Sequence, residues 1–184
     1  MKRVIIVHGW EGRPDKEWMP WLKRELEERG YNVLVPHMPN TLHPRLNTWF
    51  PYLKKIVKKI DINTFFVGHS LGCITILRYL ESLKGNEKAG GAVLVAGFGH
   101  DLEYRDYRKE ISSFFAIPLD WLNIKKHCKQ FIAIHSKDDK WVPLRHNDIF
   151  KKELNAESVV VDGMGHFNVL ELPLALEAVL KISK

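Results

Sequence analysis

The sequence predicts a three-layer αβα fold with a mostly parallel six-stranded sheet, and two observations support this. Six short apolar runs alternate with six amphipathic stretches along the chain, a pattern typical of a sheet with helices on both faces. The apolar runs are nearly continuous, as in strands that are buried on both sides. At 184 residues the chain has the length of one domain, and we assign residues 1–184 to it.

Strands are predicted where β-branched and aromatic residues cluster, at residues 3–8, 32–36, 64–67, 91–96, 130–135 and 157–161. Helices are predicted where apolar residues recur at helical spacing, at residues 17–29, 46–60, 73–83, 119–127, 144–154 and 170–182. Gly30 fits the C-cap of the first helix.

One connection, residues 97–118, is longer than the others. Its aromatic residues are Phe98, Tyr104, Tyr107, Phe114 and Phe115. Connections of this length inside an α/β domain are commonly lids or binding loops. A surface helix whose aromatic residues pack on the core is an equal alternative. For the fold as a whole we expect a small lid or none.

Composition and charge exclude several classes of protein. Hydrophobic residues make up 45% of the chain, and no apolar run approaches the roughly 20 residues of a membrane helix. The N-terminal apolar run is too short for a signal peptide, so we expect a cytoplasmic protein without a membrane partner. The net charge of +6 comes from scattered lysines without a nucleic-acid-binding module, and no nucleic-acid partner is expected.

Neither a cofactor nor a metal is predicted. Cys73 and Cys128 are far apart and belong to no C-x-x-C pair, which disfavours a disulfide and a zinc site. No phosphate-binding or dinucleotide-binding glycine motif follows the first strand, and the zinc motif H-E-x-x-H is absent.

Residues 68–72 read Gly-His-Ser-Leu-Gly, at the point where a predicted strand becomes a helix. In a G-x-S-x-G nucleophile elbow the serine has a strained backbone, and the glycines let strand and helix approach closely. Ser70 is therefore the candidate nucleophile, with Gly68, His69 and Gly72 as supporting residues.

A serine nucleophile needs a base, and the base needs an acid that orients it. His166 follows the last strand after a glycine-rich turn, and active sites of open α/β sheets lie at the carboxyl ends of strands. His166 is therefore the predicted base. His135, at the end of the fifth strand, is the main competitor, and His69 is expected to point away from the serine.

Asp139 is the preferred acid, because it stands in a D-x-x-V-P segment after the fifth strand. Asp138 is the alternative and Asp162 a weaker one. One aspartate of the adjacent pair is expected to bind loop amides. The chain order Ser70, Asp139, His166 is the serine, aspartate, histidine order of α/β-hydrolases.

An oxyanion intermediate needs two hydrogen-bond donors. The amide of Leu71, at the start of the helix after Ser70, is one candidate, and the amide of Trp10 is the other. Trp10 follows His8 and Gly9 at the end of the first strand, and this turn could equally be fixed by packing. Among the tryptophans, Trp10 and then Trp49 are expected near the site.

Five segments together resemble the retinoblastoma-binding serine hydrolase group, or YdeN-like family, within the α/β-hydrolase superfamily. They lie at residues 4–10, 49–51, 67–72, 136–139 and 165–167. The resemblance implies a compact core that lacks the first two strands of larger hydrolases. It also implies a triad of Ser70, Asp139 and His166 with weak esterase activity on short acyl esters. Leu71 departs from those members that have serine there.

We therefore expect a serine hydrolase that cleaves a small carboxylic ester through an acyl-enzyme on Ser70. Thioesterase or amidase activity would use the same residues. The remaining alternative is a hydrolase fold that binds an unknown protein partner with weak or no turnover, because a fold does not specify a function.

Overall fold

The structure is a computed structural model that describes residues 1–102 and 111–184. Its strands form one sheet in the order β2-β1-β3-β4-β5-β6. They are β1 (Arg3–Val7), β2 (Asn32–Leu34), β3 (Thr64–His69), β4 (Gly91–Val95), β5 (Phe131–Ser136) and β6 (Glu157–Val161). The predicted α/β fold is confirmed, and every strand pair is parallel.

Helices cover both faces of the sheet. Those whose bounds the structure describes are α1 (Met19–Glu27), α2 (Leu46–Val57), α3 (Leu71–Glu81), α4 (Trp121–Lys126), α5 (Arg145–Leu154) and α6 (Pro173–Ile182). Side chains of α1 and α6 belong to one buried apolar cluster, and those of α2, α3, α4 and α5 belong to another. None of the helices described is both long enough and apolar enough to cross a membrane.

The strand order reverses between β1 and β3. The chain passes from β1 to β2 on one side and then returns to place β3 on the other side of β1. The loops that leave the carboxyl ends of β1 and β3 therefore diverge, which opens a crevice between them. The turn after β1 and the turn that contains Ser70 lie at this crevice.

Several boundaries differ from the sequence predictions. Helix α1 begins at Met19, two residues after the predicted start, because Glu17 has a φ of 53° and Pro20 occupies the first turn. Helix α2 ends at Val57 rather than at residue 60, because Lys58 has a φ of 57° and an α-helix requires a negative φ.

The expectation that all strands are buried on both faces is wrong for the two edge strands. Strands β3 and β4 are buried along their whole length. Edge strand β6 has only exposed and half-buried residues, and edge strand β2 has one buried residue of three. Val160 in β6 is 40% exposed. An edge strand has a neighbour on one side only, so its apolar content reflects strand propensity as well as burial.

Two glycines allow α3 to approach the sheet. A Cβ atom on Gly72 would lie 2.1 Å from the carbonyl oxygen of Val7 in β1. One on Gly68 would lie 2.8 Å from the Cα atom of Cys73 in α3. No side chain fits at either position, so the first turn of α3 rests directly on backbone.

The described part of residues 97–118 packs on the core and also reaches the crevice. Phe98, Leu102, Ile111 and Phe114 are buried in the cluster beneath α3. The buried Arg78 side chain of α3 donates from Nε to the carbonyl oxygen of Phe114 at 2.9 Å, which ties this segment down. Tyr104 and Tyr107, which the sequence analysis singled out, lie outside the described residues.

The loop after β6 is anchored to the end of β5. The amides of Gly163 and Gly165 each donate to Asp138 Oδ1 at 3.1 Å, and the amide of Met164 donates to Ser136 Oγ at 3.1 Å. The Ser136 hydroxyl itself donates to Asp138. These bonds determine where the residue that follows Gly165 is placed.

We predict that Gly72→Ala lowers the free energy of unfolding by about 3 kcal/mol, because the new Cβ would overlap the Val7 carbonyl. Urea denaturation measures the change. Gly30→Ala is the matched control, because its φ is 82° and nothing lies near its Cβ. The control loses only about 1 kcal/mol, from backbone strain. Equal losses in the two variants would contradict the close approach.

We predict that Asp138→Ala lowers the Tm at neutral pH. The Ser136 hydroxyl and the loop amides hold the pKa of the Asp138 carboxyl below its ordinary value of 3.8. A carboxyl whose pKa is lower in the folded than in the unfolded state stabilises the fold at pH values above its unfolded-state pKa. This stabilisation is lost as the pH falls through the folded-state pKa. The Tm difference between wild type and variant therefore narrows in acid. A difference that stays constant from pH 7 to about pH 3 would contradict this.

Candidate active site

Ser70 lies at the tip of the turn between β3 and α3. Its φ is 51° and its ψ is −117°, a backbone conformation that residues other than glycine rarely adopt. The Ser70 amide donates to the carbonyl oxygen of Val95 at 2.9 Å, and its own carbonyl accepts from the Cys73 amide at 3.0 Å. The strain is therefore held between β4 and the first turn of α3.

The turn after β1 packs against this serine. A Cβ on Gly9 would lie 3.1 Å from the Cβ of Ser70, so the absence of a side chain brings the two turns together. His8 is buried and accepts from the Met38 amide at Nε2, at 3.1 Å. Its Nδ1 therefore carries the proton and donates to the Gly9 carbonyl at 2.8 Å. His8 thus fixes the turn that presents Trp10.

His166 and Asp139 form a hydrogen-bonded pair. His166 Nδ1 lies 2.8 Å from Asp139 Oδ2, and the Asp139 side chain is fully buried. Asp139 Oδ1 accepts from the amides of Trp141 and Val142, at 2.8 and 3.0 Å. Burial favours the neutral acid, but the His166 hydrogen bond and these amides outweigh it and hold the pKa of Asp139 below its ordinary value.

The other two candidate acids lie elsewhere. Asp138, adjacent in sequence, binds the amides of the loop after β6 instead of a histidine. Asp162 has a side chain that is 70% exposed and lies 3.8 Å from Lys137 Nζ. Of the three aspartates, Asp139 is the one whose carboxylate meets His166.

The competing histidines have structural contacts. His135 is fully buried, and its Nε2 donates to the Gly97 carbonyl at 2.8 Å. His69 contacts the loop after β6, where its Nε2 donates to the His166 carbonyl at 2.8 Å. Burial lowers the pKa of His69 to about 3, so its ring is neutral.

A cavity of about 340 Å³ opens at these turns, and both Ser70 and His166 line it. One wall is apolar and comes from the segments after β4 and β5: Phe98, Leu102, Ile111, Trp141 and Val142. A second, polar wall comes from the loops after β1 and β6: Glu11, Lys16, Glu17 and Asn168. Gly9, Trp10, Gly12, His69 and Leu71 complete the lining.

Of the two tryptophans expected at the site, only Trp10 reaches the cavity. Trp49 is fully buried, donates from Nε1 to the Pro39 carbonyl at 2.8 Å and packs edge-on against His8. It therefore supports the turn after β1 from behind. Trp141 lines the cavity instead and is 49% exposed. The sequence could have indicated that Trp141 lies at the site, because it follows the candidate acid Asp139 by two residues.

The polar wall was not predicted either. Glu17 was assigned to the first helix, yet it belongs to the loop before it. Pro20 could have indicated this boundary, because proline favours the first turn of a helix. A helix that begins near Pro20 leaves Glu17 in the preceding loop. Within residues 1–102 and 111–184, no three or more acidic, histidine or cysteine side chains are grouped to hold a metal ion.

Comparison with known proteins identifies the family. The family model described as serine hydrolase matches residues 4–180. The chain is 36% identical to the hydrolase YdeN of Bacillus subtilis over 166 residues, which cover 90% of this chain and 86% of YdeN. It is 28% identical to the serine hydrolase RBBP9 of Rattus norvegicus, over 91% of this chain and 82% of RBBP9.

Solved structures also match this chain. The crystal structure of the B. subtilis ydeN product superposes with a TM-score of 0.92 at 32% identity, covering 99% of this chain and 98% of the other. Est1E from Butyrivibrio proteoclasticus, solved with ferulic acid, shares the fold with a TM-score of 0.75 at 19% identity, over 98% and 87% of the two chains. The chain therefore belongs to the serine hydrolase family that includes YdeN and RBBP9, and it has the α/β-hydrolase fold.

Proposed function

We propose that the protein is a carboxylesterase that cleaves small esters through an acyl-enzyme on Ser70. One observation carries the proposal: the strained turn of Ser70 borders the same cavity as His166, whose ring is hydrogen-bonded to the buried Asp139. A serine, a histidine and a buried acid in this relation are the parts that acyl transfer requires.

In the proposed mechanism, His166 acts first as a base. Because its Nδ1 donates to Asp139, Nε2 is left with the lone pair that can accept the Ser70 proton. The Ser70 oxygen attacks the acyl carbonyl, and His166 then protonates the leaving alcohol. Water repeats the sequence and releases the acid. Asp139 keeps the His166 tautomer and stabilises the imidazolium that forms in each half-reaction.

The proposed oxyanion donors are the amides of Leu71 and Trp10. Leu71 is the first residue of α3, where an N–H has no acceptor within the helix and the helix dipole favours negative charge. Trp10 follows Gly9, whose missing side chain lets this turn approach Ser70. Two such donors are a major source of rate acceleration in acyl transfer.

The apolar wall supports an ester with a small apolar acyl group. Phe98, Leu102 and Val142 are almost fully buried, and a cavity of about 340 Å³ is at the lower end of the size range of small-molecule sites. Thioesters and amides would engage the same catalytic groups and differ in the leaving group. Profiling acyl chains from acetate upward, as esters and thioesters, separates these classes.

We predict that Ser70→Ala lowers turnover of p-nitrophenyl butanoate at least about 10³-fold, because the acyl-enzyme cannot form. The variant also loses covalent labelling by a fluorophosphonate, which mass spectrometry maps to Ser70 in the wild type. Labelling that persists in Ser70→Ala would move the nucleophile elsewhere. A folded wild type that neither labels nor turns over any ester or thioester would favour the protein-binding alternative.

We predict that Asp139→Asn lowers kcat by about 10³-fold to 10⁴-fold, because the amide no longer holds the productive His166 tautomer. Asp138→Asn is the matched control, since it removes the same charge from the neighbouring position. Its main effect is on stability, because Asp138 contacts loop amides and not His166. Steady-state kinetics with one ester compares the two. A larger loss of kcat in Asp138→Asn would reverse the assignment.

A further inference from the structure

Glu17 is a half-buried acid in the wall of the cavity that contains Ser70 and His166. Its side chain is 33% exposed, and the residue has a φ of 53°, which places the strain of a left-handed conformation in this wall. Nδ1 of His69 lies 3.7 Å from the Glu17 carboxylate. That separation is longer than a hydrogen bond.

Among the described residues, no donor lies within hydrogen-bond distance of the Glu17 carboxylate. His69 donates its Nε2 proton to the His166 carbonyl, so Nδ1 presents a lone pair to the carboxylate. Arg13, in the same loop, pairs instead with Asp15 at 3.1 Å. Lys16 is exposed and forms no ion pair with Glu17 in the described part of the chain.

Electrostatics indicate the same incomplete compensation. Burial raises the pKa of the Glu17 carboxyl above its ordinary value, although nearby His166 and Lys16 oppose the shift. A carboxylate that is partly removed from water loses solvation free energy unless a donor replaces the water. The described protein places no such donor within hydrogen-bond distance of Glu17, so a cationic donor on a bound molecule would meet an unpaired carboxylate.

Glu17 lies on the side of the cavity where a leaving group is expected. In acyl transfer the histidine protonates the leaving group, which must therefore lie beside it. The ring of His69 packs 5.0 Å from the ring of His166, and Glu17 lies against His69. The apolar wall, by contrast, comes from the segments after β4 and β5 and suits an acyl group.

We propose that Glu17 selects esters whose leaving alcohol carries a protonated amine. The ammonium N–H would donate to the Glu17 carboxylate while the apolar acyl group lies against the apolar wall. A charge-assisted hydrogen bond of this kind is stronger than one between neutral groups and discriminates against analogues that lack the amine. The proposal rests on the proposed esterase function, because it assigns the leaving-group side of that cavity.

The test uses two butanoate esters of nearly equal size, 2-(dimethylamino)ethyl butanoate and 3-methylbutyl butanoate. At pH 7 the first carries a protonated amine where the second carries a CH group. For each enzyme the ratio of kcat/KM values is divided by the ratio of hydroxide-catalysed rates, which removes intrinsic reactivity. We predict that Glu17→Gln lowers this corrected ratio on the order of tenfold, with the neutral ester's kcat/KM retained.

Asp15→Asn is the matched control. It removes one negative charge from the same loop, at a residue whose partner is Arg13, and the corrected ratio should stay at the wild-type value. A corrected ratio that Glu17→Gln leaves unchanged would overturn the inference. If both esters also lose kcat/KM equally, Glu17 acts through His166 and not on the leaving group.

Fluorophosphonate labelling of Ser70 separates failure of this inference from failure of the esterase proposal. Wild type and Glu17→Gln should label at similar rates, which also shows that the variant is folded. A labelled wild type that turns over the neutral ester without preferring the amine contradicts only the role of Glu17. A wild type that neither labels nor hydrolyses either ester contradicts the esterase proposal itself.

Discussion

The close contact between the first turn of α3 and the end of β1 is the constraint on which the rest of the structure depends. Only a residue without a side chain fits where Gly72 faces the Val7 carbonyl. This contact lets the chain reverse sharply after β3, and the reversal forces Ser70 to a φ of 51°. The strain is sustained because β4 and α3 hold the turn from both sides, so local cost is offset by sheet and helix packing.

The strand order adds a second constraint, since it decides which loops meet at that turn. Because the direction of winding reverses between β1 and β3, the loop after β1 and the turn at Ser70 face each other across the crevice. The buried His8 has no exposed chemistry of its own, yet its two hydrogen bonds hold the Gly9 turn against Ser70. A core histidine therefore shapes the turn that carries Trp10, the proposed oxyanion donor.

Two adjacent aspartates divide the work at the end of β5. Asp138 faces back to the loop after β6 and binds its amides, whereas Asp139 faces His166 and is held by the amides that follow it. One carboxylate thus positions the loop that carries the histidine, and the next orients the histidine ring. The two neighbouring acids serve different purposes because their side chains contact different groups, the amides of the loop after β6 and the ring of His166.

Local patterns in the sequence were sufficient for the strands, the helices, the glycine-flanked Ser70 and the candidates Asp139 and His166, because periodicity and turn chemistry are short-range properties. The D-x-x-V-P segment favoured Asp139 over Asp138, and the tertiary structure decided between them, because the contact of a carboxylate with His166 depends on how the folded loops meet. It also placed Trp49 behind His8 and brought Trp141 and Glu17 to the cavity. Short-range signals exist for Trp141, two residues after Asp139, and for Glu17, three residues before Pro20. Their meeting at one cavity was decided by the tertiary structure, because it depends on how distant loops converge at the carboxyl ends of the strands.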